Sequence, residues 1–123
     1  MHIRSALGKK GEDLIANYLT QRGFSIVDRN YARRMGEIDL IARKKDLLIF
    51  IEVKMRTAAP SDFDLSEVIT PSKQRKIISV AKEYIARYAQ DRMICRFDVA
   101  LIQGPENSAQ ITYLEDAFRE HEY

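Results

Sequence analysis

The chain has a single cysteine and only two histidines, and these shortages narrow the chemistry open to it. One thiol, Cys95, cannot close a disulfide within the chain, which makes a reducing cytoplasm the expected location. His2 and His121 stand near opposite ends, so no cluster of histidine and cysteine offers a zinc site. A glycine-rich phosphate loop and a serine, histidine and acid set are missing as well. No apolar run approaches the roughly 20 residues of a membrane span, so no membrane partner is expected. The opening MHIRS lacks the apolar stretch that a secretory signal carries. Repeats, low-complexity segments and interdomain linkers are lacking too, and residues 1–123 read as a single domain.

Hydrophobic residues make up 46% of the chain and charged residues 31%, the composition of a folded globular protein. The net charge of +2 hides an asymmetry. Residues 104–123 carry five acids against Arg119, a balance of −4, which leaves +6 on the remainder. A basic working surface with its acids kept apart is the expectation.

Residues 5–22 predict a helix, since Leu7, Gly11, Leu14, Ile15, Tyr18 and Leu19 recur at three- and four-residue spacing. Gly23 suits its C-terminal cap. Gly8 and Gly11 are poor helix formers, which implies close approach of another backbone or a ligand. Glu12 borders the apolar stripe, where an acid near the positive helix end is electrostatically at home. Residues 24–31 alternate as a strand, and Arg29, Arg33 and Arg34 cluster about the turn after it. Residues 55–69 fit no element and read as a flap over the strand ends. Thr70 and Pro71 then open a second helix as N-cap and first residue. Its buried stripe is Ile77, Ile78, Ala81, Tyr84, Ile85 and Tyr88, with Gln74 one turn earlier. Lys73, Arg75 and Lys76 crowd the positive end of that helix, an unfavourable placement that a phosphate would compensate. Residues 96–103 and 111–114 give two further strands. The order αβββαββ, with its strand, helix, strand passage, predicts an α/β domain whose mixed five-stranded sheet is flanked by helices.

Residues 36–54, GEIDLIARKKDLLIFIEVK, carry the chemistry. Two apolar runs joined by a basic turn predict an antiparallel hairpin, the second run being apolar on both faces like a central strand. Alternation puts Ile38, Leu40 and Ala42 on one face and Glu37, Asp39 and Ile41 on the other. Glu52 and Lys54 project together from the end of the second run. Charges flanked by apolar residues are costly to bury without a partner, a metal or a substrate. Asp39 and Glu52, with the carbonyl of Val53, present the hard oxygens that Mg2+ or Mn2+ takes. Lys54 beside them suits orienting or deprotonating a nucleophile, or stabilising charge on a phosphoryl group.

The chain resembles the YraN family, uncharacterised bacterial proteins with a restriction endonuclease-like fold akin to archaeal Holliday junction resolvases. The resemblance runs through GKKGE at residues 8–12, GEIDLIA at 36–42, FIEVK at 50–54, Thr70-Pro71 with Lys73-Gln74, and RFDV at 96–99. It implies a PD-(D/E)xK nuclease core in which Asp39, Glu52 and Lys54 match the catalytic motif. Glu12 then matches the helical acid, and Gln74 the polar residue of the following helix. Ile38 stands where the family pattern usually has proline, and Glu37 offers a second acid on the Asp39 face. The implied activity is divalent-metal-dependent cleavage of phosphodiester bonds in DNA, branched or junction DNA included, in repair or recombination. Arg33, Arg34, Arg56, Lys73, Arg75 and Lys76 would meet the nucleic-acid backbone, and a homodimer would suit a two-strand cutter. The alternative is a non-catalytic nucleic-acid-binding module that keeps the nuclease fold.

Overall fold

The computed structural model describes residues 6–56, 68–89, 92–104 and 108–120. Helix α1 spans Ala6–Gln21, and strands β1, β2 and β3 span Ser25–Arg33, Gly36–Lys44 and Leu47–Arg56. Helix α2 covers Pro71–Tyr88, followed by β4 at Ile94–Gln103 and β5 at Gln110–Phe118. The strands lie in the spatial order β1-β2-β3-β4-β5. All neighbours are antiparallel except β3 and β4, which run parallel with Phe50 beside Phe97 and Glu52 beside Val99. A parallel neighbour needs a long return path, and α2 supplies it. The expected order αβββαββ and the mixed sheet are what the chain forms.

Local chemistry sets the element ends. Gly23, at φ 90°, takes the left-handed turn that stops α1, and Phe24 N–H then reaches back to the Leu19 carbonyl at 3.1 Å. Thr70 caps α2, its hydroxyl accepting from Lys73 N–H at 3.2 Å, with Pro71 as the first helical residue. The β2–β3 turn narrows to Lys45 and Asp46, and the Asp46 carbonyl also accepts from Ile94 N–H at 2.8 Å. That bond ties the first residue of β4 to the sheet.

Alternation on the central strand divides the core in two. Ile49 and Ile51 pack with Ile15, Ala16 and Leu19 of α1, together with Leu40, Ala42, Ala100 and Ile102. Leu48 and Phe50 face the other way, into a cluster with Ile77, Val80, Ala81 and Tyr84 of α2. Glu52 and Lys54 continue the Phe50 row and so lie on the α2 side.

Several details depart from the sequence pattern. Leu14 is 39% exposed, and Ala16 takes the buried place beside Ile15. Strand β5 extends past Leu114 to Phe118, whose ring stacks on Phe97. Ile38 packs on the α2 side with Ile41, not with Leu40 and Ala42 as strict alternation requires. The cause lies in the middle of β1: Asn30 has φ 53°, and the pairs Arg29–Leu40 and Tyr31–Ile38 that bracket it fall on opposite faces. Gly11 approaches Met55, since a β-carbon there would sit 2.5 Å from its sulfur; the close protein neighbour is a side chain and not a backbone. Within the region of the expected flap, residues 57–67 lie outside the described residues, as do His2 and His121.

In the middle of β4 a further acid, Asp98, is buried completely. Asp98 accepts both Nε and Nη2 of Arg96 at 2.9 Å, Tyr113 Oη at 2.6 Å and Asp116 N–H at 2.9 Å. Tyr113 in turn stacks on Tyr18 of α1, so this polar knot pins β4 and β5 to the first helix.

Candidate active site

The β2–β3 ladder supplies the frame of the site. Its register runs from Lys44–Leu47 to Leu40–Ile51. One residue further, the Asp39 side chain replaces the backbone, its Oδ2 accepting Val53 N–H at 2.8 Å. A carboxylate standing in for a ladder carbonyl wedges the strands apart while keeping the amide satisfied. The opening receives Glu52, only 5% exposed, from the α2 face of β3. Glu12, 4% exposed, comes from α1, and its negative charge is felt at Asp39.

Two lysines answer these acids on a single oxygen. Lys73 Nζ lies 2.6 Å from Glu52 Oε1, and Lys54 Nζ lies 3.6 Å from the same atom. Lys73 is held there from below, because its own N–H is the one that Thr70 caps. Gln74 N–H bonds the Thr70 carbonyl at 2.9 Å, while the Gln74 side-chain amide donates to the Ile69 carbonyl at 3.2 Å.

The charges reshape one another's proton affinity. Burial first, and then the charge of Glu52, push the Asp39 carboxyl up to about 7, against the pull of the Val53 N–H. Burial and a hydrogen bond from Lys73 hold Lys54 below the ordinary lysine range, with Glu52 pulling the other way. Burial opposes the charge on Lys73 as well, but the hydrogen bond and attraction of Glu52 win and hold it above that range. The cluster thus contains one lysine that holds its proton more firmly than usual, one that holds it less firmly, and an acid that resists ionising.

Acids that resist joint ionisation create demand for a cation. Among the described residues, no three His, Cys, Asp or Glu side chains are gathered as a ready metal cage. The donor chemistry nonetheless fits a hard divalent ion, through the carboxylates of Asp39 and Glu52 and the carbonyl of Val53. Glu37, half-buried opposite Ala32, stays on β2 as the further acid.

The sequence-predicted contacts divide accordingly. Asp39, Glu52 and Lys54 come together, with Glu12 close enough to act on Asp39. Gln74 is committed to Ile69, and it lines a cavity of about 440 Å³ with Arg75, Lys82 and Arg119. Lys73, read from the sequence as a phosphate contact, is instead bonded to Glu52. Its place on the positive end of α2 was the legible signal, and the compensating anion is a carboxylate of the chain itself. Arg33 lies over the Tyr31 ring, 4.0 Å from its centre, and pairs with Glu83, so it is woven into the fold. Arg34, Arg75 and Lys76 are exposed. The backbone of Arg56 ends β3, and its side chain lies outside the described residues.

A five-stranded mixed sheet between two helices, with acids gathered where two of its strands part, defines a small nuclease-like α/β fold. The family model described as the uncharacterised protein family UPF0102 matches residues 11–102, a span running from Gly11 in α1 to Ile102, the last residue but one of β4. The chain belongs to this family, the YraN family. A UPF0102 protein of Ralstonia pickettii is 40% identical over 119 residues, covering 94% of this chain and 92% of its own. One from Rhodococcus opacus is 44% identical over 114 residues, covering 92% and 96% of the two chains. One from Chlorobium phaeobacteroides is 46% identical over 96 residues, covering 78% and 75%.

Proposed function

We propose that this chain is a divalent-metal-dependent nuclease that hydrolyses phosphodiester bonds in DNA. The observation that carries the reading is the meeting of Asp39, Glu52 and Lys54 at the parted end of β2 and β3, with buried Glu12 near enough for its charge to act on Asp39. Asp39, Glu52 and the Val53 carbonyl would hold Mg2+ or Mn2+, which supplies Lewis-acid polarisation of the phosphoryl oxygens. Lys54 would take the proton of an attacking water on Nζ, a role supported by the burial and the Lys73 contact that hold its amine below the ordinary lysine range. The water oxygen bonds to phosphorus as the bond to the leaving sugar oxygen breaks, and solvent returns a proton to that oxygen. Exposed Arg34, Arg75 and Lys76 would bear on the phosphate backbone, giving binding that weakens steeply with salt. Branched or junction DNA is the favoured substrate class by family resemblance.

The test is cleavage of linear, nicked, flapped and four-way DNA by purified protein with Mg2+, with Mn2+ and with chelator. Cutting is expected only with metal, and Glu52→Gln or Lys54→Ala should lower it at least about 100-fold without lowering the melting temperature much. Intact wild-type protein that cuts none of these with either metal would remove the catalytic reading. One observation favours the second reading, a nucleic-acid-binding module without turnover: Glu52 already has an ammonium at 2.6 Å. That reading predicts DNA binding that is metal-independent and unchanged by Glu52→Gln.

A further inference from the structure

Lys73 occupies an expensive position. It is the third residue of a capped helix, where the macrodipole disfavours a cation and an acid or amide normally sits. The main chain gives it no freedom to leave, because the Thr70 hydroxyl holds its N–H. The side chain is different: at 40% exposure, with four methylenes, its ammonium can swing to solvent without disturbing the helix. It nevertheless closes on Glu52 Oε1 at 2.6 Å, nearer than the neighbouring Lys54 on the same strand. A nearly buried carboxylate needs a compensating charge, and here the chain provides a movable one.

Resting on the metal-centre reading above, we propose that Lys73 is a tethered counter-ion that competes with the divalent cation for Glu52. In this role Lys73 is a positioning residue. It holds Glu52 in place before loading through the 2.6 Å contact, then yields Oε1 to the metal. An ammonium and a divalent ion on the same carboxylate oxygen repel each other and draw on the same negative charge, so each weakens the other's hold. The ammonium released on loading remains anchored at the start of α2, where helix N–H groups already favour anions. Metal entry thereby uncovers a cation beside the place where a phosphate would lie.

Calorimetric titration of Mn2+ into the full chain tests this, comparing wild type with Lys73→Gln, Lys73→Met and Asp39→Asn. Glutamine suits the third helical position and methionine keeps the length, so one of the pair is expected to fold if the other does not. Removing the competitor should tighten Mn2+ binding about tenfold and enlarge the thermal shift that Mn2+ produces, while Asp39→Asn should abolish binding. A purely structural role for the Lys73–Glu52 pair predicts the opposite, weaker Mn2+ binding on its loss, and that result overturns the proposal. Equal Mn2+ affinity in wild type and both Lys73 variants also overturns it, yet leaves the metal centre standing. If Mn2+ binds none of the folded proteins, the metal reading itself fails and the competition falls with it.

Discussion

At the scale of single residues, Asp39 is the most informative. In the unfolded chain its carboxyl titrates near 3.8, while in the native fold burial and Glu52 raise it to about 7. Between those values the native state keeps a proton that the unfolded state has lost. Metal-free stability should therefore fall as pH climbs from about 4 to about 7 and level off above, through this group. Thermal melts across that range, with Asp39→Asn as the flattened control, measure it. A divalent cation prefers the ionised form, so its stabilising effect should be larger at pH 8 than at pH 5.5. Equal shifts at both would separate the cation from Asp39. The acids and Lys54 were legible because strand alternation needs only spacing, and spacing is written in the chain. The partnership of Lys73 was not, because it depends on where a distant helix begins relative to β3. The sequence marks Lys73 as anomalous and suggests phosphate as the remedy, with nothing in the spacing to bring the Glu52 carboxylate within its reach.

At the scale of elements, the site depends on how β3 ends and α2 starts. Thr70 joins the two, since it caps the very N–H of the residue that reaches Glu52. Thr70→Ala should cost about 1 kcal/mol in urea unfolding. It should also loosen Lys73, which on the competition proposal tightens Mn2+ binding rather than weakening it. Gly36 admits α2 at this point, because a β-carbon there would come within 3.3 Å of Lys76 Cβ. The helix and strand spans were largely readable from periodicity and caps. The reversal of facing at Asn30 was not, since a left-handed residue inside a strand leaves the polar and apolar pattern almost unmarked. That reversal puts Ile38 under α2 and lets Asp39 turn its carboxylate onto β3.

At the scale of the whole molecule, the sheet carries two buried acids with opposite characters. Asp98 has its oxygens filled by Arg96, Tyr113 and the Asp116 N–H, so it is a fastening. Asp98→Asn should lower stability by about 3 kcal/mol, read as a reduced urea midpoint, while Mn2+ affinity of the folded fraction stays unchanged. Loss of metal affinity in that variant would join the two acids into one network. The layering of the fold was open to inspection in the sequence, yet the Asp98 knot was not, because its partners are scattered over β4 and β5. The parallel pairing of β3 with β4 also has a temporal side. Strands β1 to β3 form an antiparallel meander from neighbouring segments, whereas β4 can join only after α2 has crossed the sheet. Asp39 and Glu52 are thus brought together by contacts local in sequence, whereas the ammonium of Lys73 reaches Glu52 through a long-range one. The hairpin therefore supplies the acids together with Lys54, and the packing of α2 completes the charge balance by bringing Lys73 to Glu52.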